Sequence, residues 1–174
     1  RRMAEAPMSL LRIFCPLSAA PTSCRWVLLD EHAGVHSGSG ALAQLPNTAS
    51  RVELVLAASQ VLITRTRLPR VGRRRSEALL AYAAEEQLAS DPDANQVSML
   101  GRVGDDDVLA VVDRQRLQGW RDALGAVGVQ VDAVYCETLM LPVQQGEWSL
   151  AWSGQEGYVR IGELEGAATD CGDR

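Results

Sequence analysis

Ser76-Glu77-Ala78-Leu79-Leu80-Ala81-Tyr82-Ala83-Ala84-Glu85-Glu86-Gln87-Leu88-Ala89-Ser90-Asp91-Pro92 is the stretch on which the fold turns. Leu80, Ala84 and Leu88 recur four apart, and Leu79 and Tyr82 widen the apolar stripe, so the spacing predicts a helix over 77–89. Ser76 offers an N-cap hydroxyl, and Ser90-Asp91-Pro92 stops the helix. On both sides the period changes from near four to two. Val61-Leu62-Ile63-Thr64-Arg65-Thr66-Arg67 alternates as a strand does, and Pro69, which cannot donate to a ladder, ends it. Residues 96–103 and 107–112 read as a hairpin around Gly104-Asp105-Asp106. The middle of the chain is therefore a β-α-β-β unit.

Working outward toward the N-terminus, 51–57 alternates as a strand, and 10–14 and 25–30 are short apolar strands separated by the turn-forming residues 16–22. A loop is expected from Ala33-Gly34 through Gly38-Ser39-Gly40. Toward the C-terminus, Asp113 is placed to cap a helix that carries Leu117, Trp120 and Leu124 inward and ends near Gly128. A strand over 129–134, a short helical turn over 137–141 and a hairpin from 148–152 and 158–161 follow. Residues 1–7 read as a tag remnant or frayed leader, and 166–174 as a frayed polar tail. The class is α/β or α+β.

Composition narrows the function. With 47% hydrophobic and 22% charged residues the chain is neither disordered nor a membrane span, since apolar runs stop at four or five residues and a bilayer needs about 20. A net charge of −5 opposes general nucleic-acid binding, which requires a basic surface. All 17 basic residues are Arg, so a Walker A lysine and Schiff-base chemistry are excluded. Cys15, Cys24, Cys136 and Cys171 match no zinc or redox spacing and read as reduced cytosolic thiols filling the core.

The residues that could carry chemistry each have a plainer reading. His32 and His36 are four apart, but Gly34 lies between them and no Glu follows the first, so a solvated loop is expected rather than a metal site. Asp105-Asp106-Asp107 follows Gly104 at a hairpin tip, where Asp is good turn chemistry. Glu85-Glu86 suit a solvated helix face. Gly38-Ser39-Gly40 has no following helix to cradle a phosphate. The arginines stand apart: Arg65, Arg67, Arg70, Arg73, Arg74 and Arg75 crowd an acidic chain. Three of them sit where a helix macrodipole opposes them. An acidic protein partner or an anionic membrane leaflet would use such a run, and a solvated strand edge is the structural alternative. No catalytic, cofactor-binding or metal-binding residue is assigned.

Leu68-Pro69 after a Thr- and Arg-bearing strand, followed by Ala81-Tyr82-Ala83-Ala84-Glu85-Glu86-Gln87-Leu88-Ala89-Ser90-Asp91, resembles the cytoplasmic domain of the type II secretion system protein L family, GspL. Val108-Leu109-Ala110-Val111-Val112-Asp113-Arg114 leading to Leu117-Gln118-Gly119-Trp120 agrees, as does Leu139-Met140-Leu141-Pro142 leading to Gly146-Glu147-Trp148-Ser149-Leu150. The resemblance runs over 10–162. It implies an actin-like fold similar to PilM and FtsA, with a ribonuclease-H-like subdomain from 8–58 plus 113–145. A β-α-β-β insert over 59–112 interrupts that subdomain, and 146–174 begins a truncated second lobe. In the family a transmembrane helix and a periplasmic domain follow.

The same resemblance implies a non-enzymatic scaffold on the bacterial inner membrane, cytoplasmic here and anchored through a span absent from this chain. It implies recruitment of the N-terminal domain of the assembly ATPase GspE, neighbours such as GspM and GspF, no cofactor, and room for a homodimer. The charge pattern then selects Arg65, Arg67, Arg73, Arg74, Glu77, Glu85 and Glu86 as the docking residues, because an Arg-rich strand end beside an acidic helix offers both orienting signs. Two alternatives remain: an actin-like nucleotide-binding ATPase, and a PilM-like type IV pilus platform. Against the first, the Asp-x-Gly phosphate motifs of actin-type ATPases are not intact. Asp30-Glu31-His32 stands at the first position considered and Trp152-Ser153-Gly154 at the second, so the ATPase resemblance is one of fold.

Overall fold

A computed structural model describes residues 9–16, 21–68, 80, 92–153 and 156–170. The chain divides into two compact units, one made of Arg1–Leu56 with Gln118–Tyr135, the other of Ala57–Leu117 with Cys136–Arg174.

In the first unit β1 (Ser9–Phe14), β2 (Ser23–Asp30), β3 (Gly34–Ala41), β4 (Arg51–Leu56) and β8 (Ala133–Cys136) form one sheet in the order β3-β2-β1-β4-β8. β1 and β2 pair antiparallel, as do β2 and β3, whereas β4 runs parallel to β1. The apolar residues explain the order. Leu11 and Ile13 on β1 and Leu54 and Val55 on β4 are almost wholly buried, as expected of central strands, while β3 lies at the edge and is mostly exposed. β3 corrects the loop expected through Gly38-Ser39-Gly40. Its Gly and Ser residues show no hydrophobic alternation, yet all eight of its residues stay in register with β2.

α1 (Arg114–Ala126) follows the sequence closely. Asp113 Oδ1 accepts the Arg116 N–H at 2.7 Å, which is the N-cap bond. At the other end Val129 N–H donates to the Leu124 carbonyl and Gly128 N–H to that of Gly125, with Gly128 at φ +81°. This is a Schellman close, and Val129 and Leu124 are the buried apolar pair that accompanies it. Val129 is thereby committed to the helix end, so the strand predicted over 129–134 starts only at Ala133 and runs on to Cys136 as β8. Trp120 and Leu124 are fully buried, and Leu117 is half-buried.

Among the described residues the second unit holds two three-stranded antiparallel sheets. β5 (Val61–Thr66), β7 (Asp106–Asp113) and β6 (Asn95–Val103) pair in the order β5-β7-β6. Gly104, at φ +60°, opens the two-residue turn between β6 and β7; Asp105 keeps a negative φ, as a type II′ turn requires. Leu68, Leu80, Val97, Leu109 and Val111 form this unit's core. Leu80, the single described residue of the helix predicted over 77–89, is helical and buried.

β9 (Ser149–Ser153), β10 (Glu156–Gly162) and β11 (Glu165–Asp170) form the other sheet. β11 overturns the expectation of a frayed tail from Gly166, because it pairs with β10 and packs on β5 and on the helical turn Glu137–Met140.

Candidate interaction surface

Two of the seven docking residues singled out from charge lie among the described residues. Arg65 is on β5, and its guanidinium meets Glu165 of β11 at 2.6 Å. Arg67 follows β5 and donates to Asp106 of β7 at 2.9 Å. Arg73, Arg74, Glu77, Glu85 and Glu86 lie outside the described residues, as do Arg70 and Arg75. The structure therefore brings Arg65 and Arg67 together on one strand end and gives each a carboxylate. Neither carboxylate is legible in the sequence: Glu165 adjoins the expected tail, and Asp106 reads as turn.

The aspartate run splits into three roles. Asp105 is exposed at the tip, Asp106 holds Arg67, and Asp107 is buried at 1% exposure. Asp107 is compensated by the Arg102 guanidinium at 3.2 Å and by the Leu68 N–H at 3.3 Å. Burial without these donors would be costly, so Asp107 is a structural counter-ion. The end of this sheet thus carries Arg67, Asp106 and Arg102, with Asp107 buried, which makes a mixed-sign surface where the sequence suggests a basic one. The Arg65 and Arg67 pairs are solvent-exposed and therefore weak, about 0–1 kcal/mol each. Arg67 keeps 77% of its side-chain surface open.

The remaining candidates serve the fold of the first unit. Asp30 Oδ1 accepts the N–H groups of His32 and Ala33 at 2.8 Å each, closing the β2–β3 turn, and those two bonds hold its carboxyl below the usual range. His36 Nε2 lies 3.0 Å from the Ala33 carbonyl, and both histidines are exposed. The first position considered for a phosphate motif is thus an Asx turn. Among the described residues no group of three or more His, Cys, Asp and Glu side chains converges as metal ligands would.

A cavity of about 490 Å³ at this end of the sheet is lined by Leu10, Leu29, Asp30, Val35, Arg51 and Glu53, among others. Glu53, only 4% exposed, is clamped by Arg12 at 2.9 Å and Arg51 at 3.0 Å.

Burial raises the Cys15 thiol well above the ordinary range, with the nearby Cys24 adding to the shift, and burial raises Cys24 too. A thiol that stays protonated in the fold contributes stability that is complete below the unfolded value, about 8.5. That contribution is lost as pH rises above it, because the unfolded chain then releases protons the fold retains. Stability is expected to fall by about 1.4 kcal/mol per pH unit for Cys15 beyond that point, with Cys24 contributing in the same direction. Urea denaturation at pH 8, 9 and 10 measures the slope, and Cys15→Ala should reduce it; an unchanged slope in that variant refutes the assignment.

Residues 15–173 match the family model for the type II secretion system (T2SS), protein L. The chain belongs to the type II secretion system protein L family.

The Pectobacterium carotovorum subsp. carotovorum member is 34% identical over 110 residues, covering 63% of this chain and 25% of the relative. The Dickeya chrysanthemi member is 29% identical over 136 residues, covering 73% and 34%. The chain thus spans a quarter to a third of the length of these relatives. The cytoplasmic domain of EpsL, an inner membrane component of the Vibrio cholerae type II secretion system, superposes with a TM-score of 0.80 at 24% identity, over 93% of this chain and 71% of that one.

A Bacteroides thetaiotaomicron protein with an actin-like ATPase fold and unknown function gives 0.52 at 8% identity, over 94% and 70%. The PilM-PilN type IV pilus biogenesis complex gives 0.51 at 14%, over 75% and 48%. The fold is therefore actin-like, as the resemblance implied. Among the described residues no helix is long and apolar enough to cross a membrane.

Proposed function

We propose that this chain is the cytoplasmic scaffold domain of the secretion machine's inner-membrane platform, and that it recruits the assembly ATPase GspE and couples it to the membrane complex without catalysing a reaction. The observation that carries this reading is the family match across residues 15–173. GspM and GspF are its expected neighbours in the platform.

The surface around Arg65 and Arg67 supports the choice of docking site. Its ion pairs are exposed and cost little to exchange, so a partner's carboxylate can replace Glu165 or Asp106 with small net loss. Mixed-sign charges of this kind set the register and speed of association more than its strength. Arg73, Arg74, Glu77, Glu85 and Glu86 are proposed as docking residues from their charge in the sequence.

Isothermal titration of this chain with the N-terminal domain of the cognate ATPase is the test. Saturable one-to-one binding is expected at about 1 μM or tighter, near −8 kcal/mol. Arg65→Glu with Arg67→Glu, and separately Arg73→Glu with Arg74→Glu, should each weaken it about tenfold or more. Unchanged affinity in a variant removes its residues from the interface, and no heat with no co-elution refutes recruitment. The same sample with ATP and magnesium is expected to melt at the temperature of the free chain; a rise would favour the nucleotide-binding reading.

A further inference from the structure

The opposite end of the first unit's sheet holds two thiols that serve neither the docking surface nor any element's capping. β1 and β2 pair antiparallel up to Phe14 opposite Arg25. One further step in that register sets Cys15 opposite Cys24. Two observations show that both strands continue there: Cys15 N–H donates to the Val55 carbonyl at 2.9 Å, and Cys24 is paired with Gly40 of β3. Directly opposed residues in an antiparallel pair point to the same face, with Cα atoms about 4.5 or 5.5 Å apart. Both spacings fall inside the window of about 4.4–6.8 Å that a disulfide spans. Each residue is 5% exposed, and both thiols are free.

Both cysteines also line one cavity of about 400 Å³, together with Phe14, Arg25, Ser39 and Gly40. The cavity gives a small reagent a route to them, while Phe14 and Arg25, the neighbouring cross-strand pair, stack on the other face of the sheet with the guanidinium 5.8 Å from the ring centroid. We propose that Cys15 and Cys24 are a cross-strand dithiol site that a low-molecular-weight disulfide oxidises to an intramolecular disulfide.

The exchange balances in two steps. One cysteine loses its proton and attacks a sulfur of the small disulfide, giving a mixed disulfide and a thiolate that takes up the proton. The second cysteine then loses its proton and attacks the protein-bound sulfur, releasing the other small thiol. Two protein thiols give up two electrons and two protons, and the small disulfide leaves as two thiols. Burial, which raises both thiols, makes the reaction slow at neutral pH. Closure would tie β1 to β2 at the end of a central strand. In a reducing compartment such a bond is transient, so the pair would act as a redox latch on this hairpin.

The test is oxidation of the whole chain with glutathione disulfide at pH 8.5, followed by alkylation under denaturing conditions and trypsin digestion. Cleavage after Arg12 and after Arg25 yields the peptide 13–25, which contains both cysteines and no others. The expected peptide is about 2 Da lighter than the reduced form and refuses alkylation, as loss of two hydrogens requires. The oxidised chain should melt roughly 5 °C or more higher, since a short loop is closed in the unfolded state. Cys24→Ser should show neither the lighter peptide nor the rise. Two alkylated cysteines, two stable mixed disulfides, or bonds to Cys136 or Cys171 would each overturn the proposal. So would a lighter 13–25 peptide from the Cys24→Ser chain.

Discussion

Trp120→Ala is expected to destabilise the chain by about 3–5 kcal/mol, the usual range for removing a wholly buried indole and leaving its cavity. Trp120 is 0% exposed, and Leu124, one turn further along α1, is equally enclosed. The helix backbone cannot shift far to fill the gap. Asp113 fixes its first turn and the Gly128 close fixes its last. The melting temperature should drop by roughly 6–20 °C, the shift such a loss produces in a chain of this size. Trp120→Phe separates volume from polarity. Among the described residues the indole Nε1 has no hydrogen-bond partner, so phenylalanine keeps much of the ring and discards an unsatisfied donor. Its cost should be well under half that of alanine in the same denaturation series. Equal losses for both variants, or an alanine variant as stable as the parent, would mean that this face of α1 is not part of the core.

α1 was legible because everything that determines it is local. Asp113 caps, the Leu117, Trp120, Leu124 spacing buries one face, and Gly128 accepts the left-handed turn, all within 16 residues. The β5, β6 and β7 strands were legible for the same reason: alternation and a Gly-Asp turn are short-range signals. β3 was not, because an edge strand is held by backbone bonds to β2 that need no apolar side chain; its most bulky aliphatic residue, Val35, is 70% exposed. Glu53 reads as the outward position of an alternating strand, but β4 is central and its carboxylate is buried. Arg12 neutralises it from β1, 41 residues earlier in the chain. The docking surface shows the same limit. Arg67 finds Asp106 across 39 residues and Arg65 finds Glu165 across 100, and no local pattern encodes either partner. Charge density pointed to the arginines, and the fold decided that they sit in a mixed-sign network.

The other large effect is expected at Gly166, where small size was mistaken for a sign of fraying. A Cβ built there would collide with Thr138 Cγ2, approach the Val159 carbonyl to 2.5 Å and lie 3.3 Å from Arg160 Cα. Two of these three neighbours are backbone, and Thr138 is 1% exposed, so little can give way. Arg160 pins the arrangement: its guanidinium donates to the Leu139, Leu141, Gly162 and Glu163 carbonyls, holding β10 to the Glu137–Met140 turn. Gly166→Ala should therefore cost about 2–3 kcal/mol, and Gly166→Val more, as overpacked interiors do. Gly125→Ala makes the informative contrast. It lies inside α1 with open space where its Cβ would go, so it should gain about 0.5–1 kcal/mol from reduced freedom of the unfolded chain. Urea denaturation of both variants reads the two signs in one experiment. A stable Gly166→Ala chain would show that β11 does not press against Thr138. Loss at Gly166 with gain at Gly125 would establish that the glycine opening β11 is required by close packing.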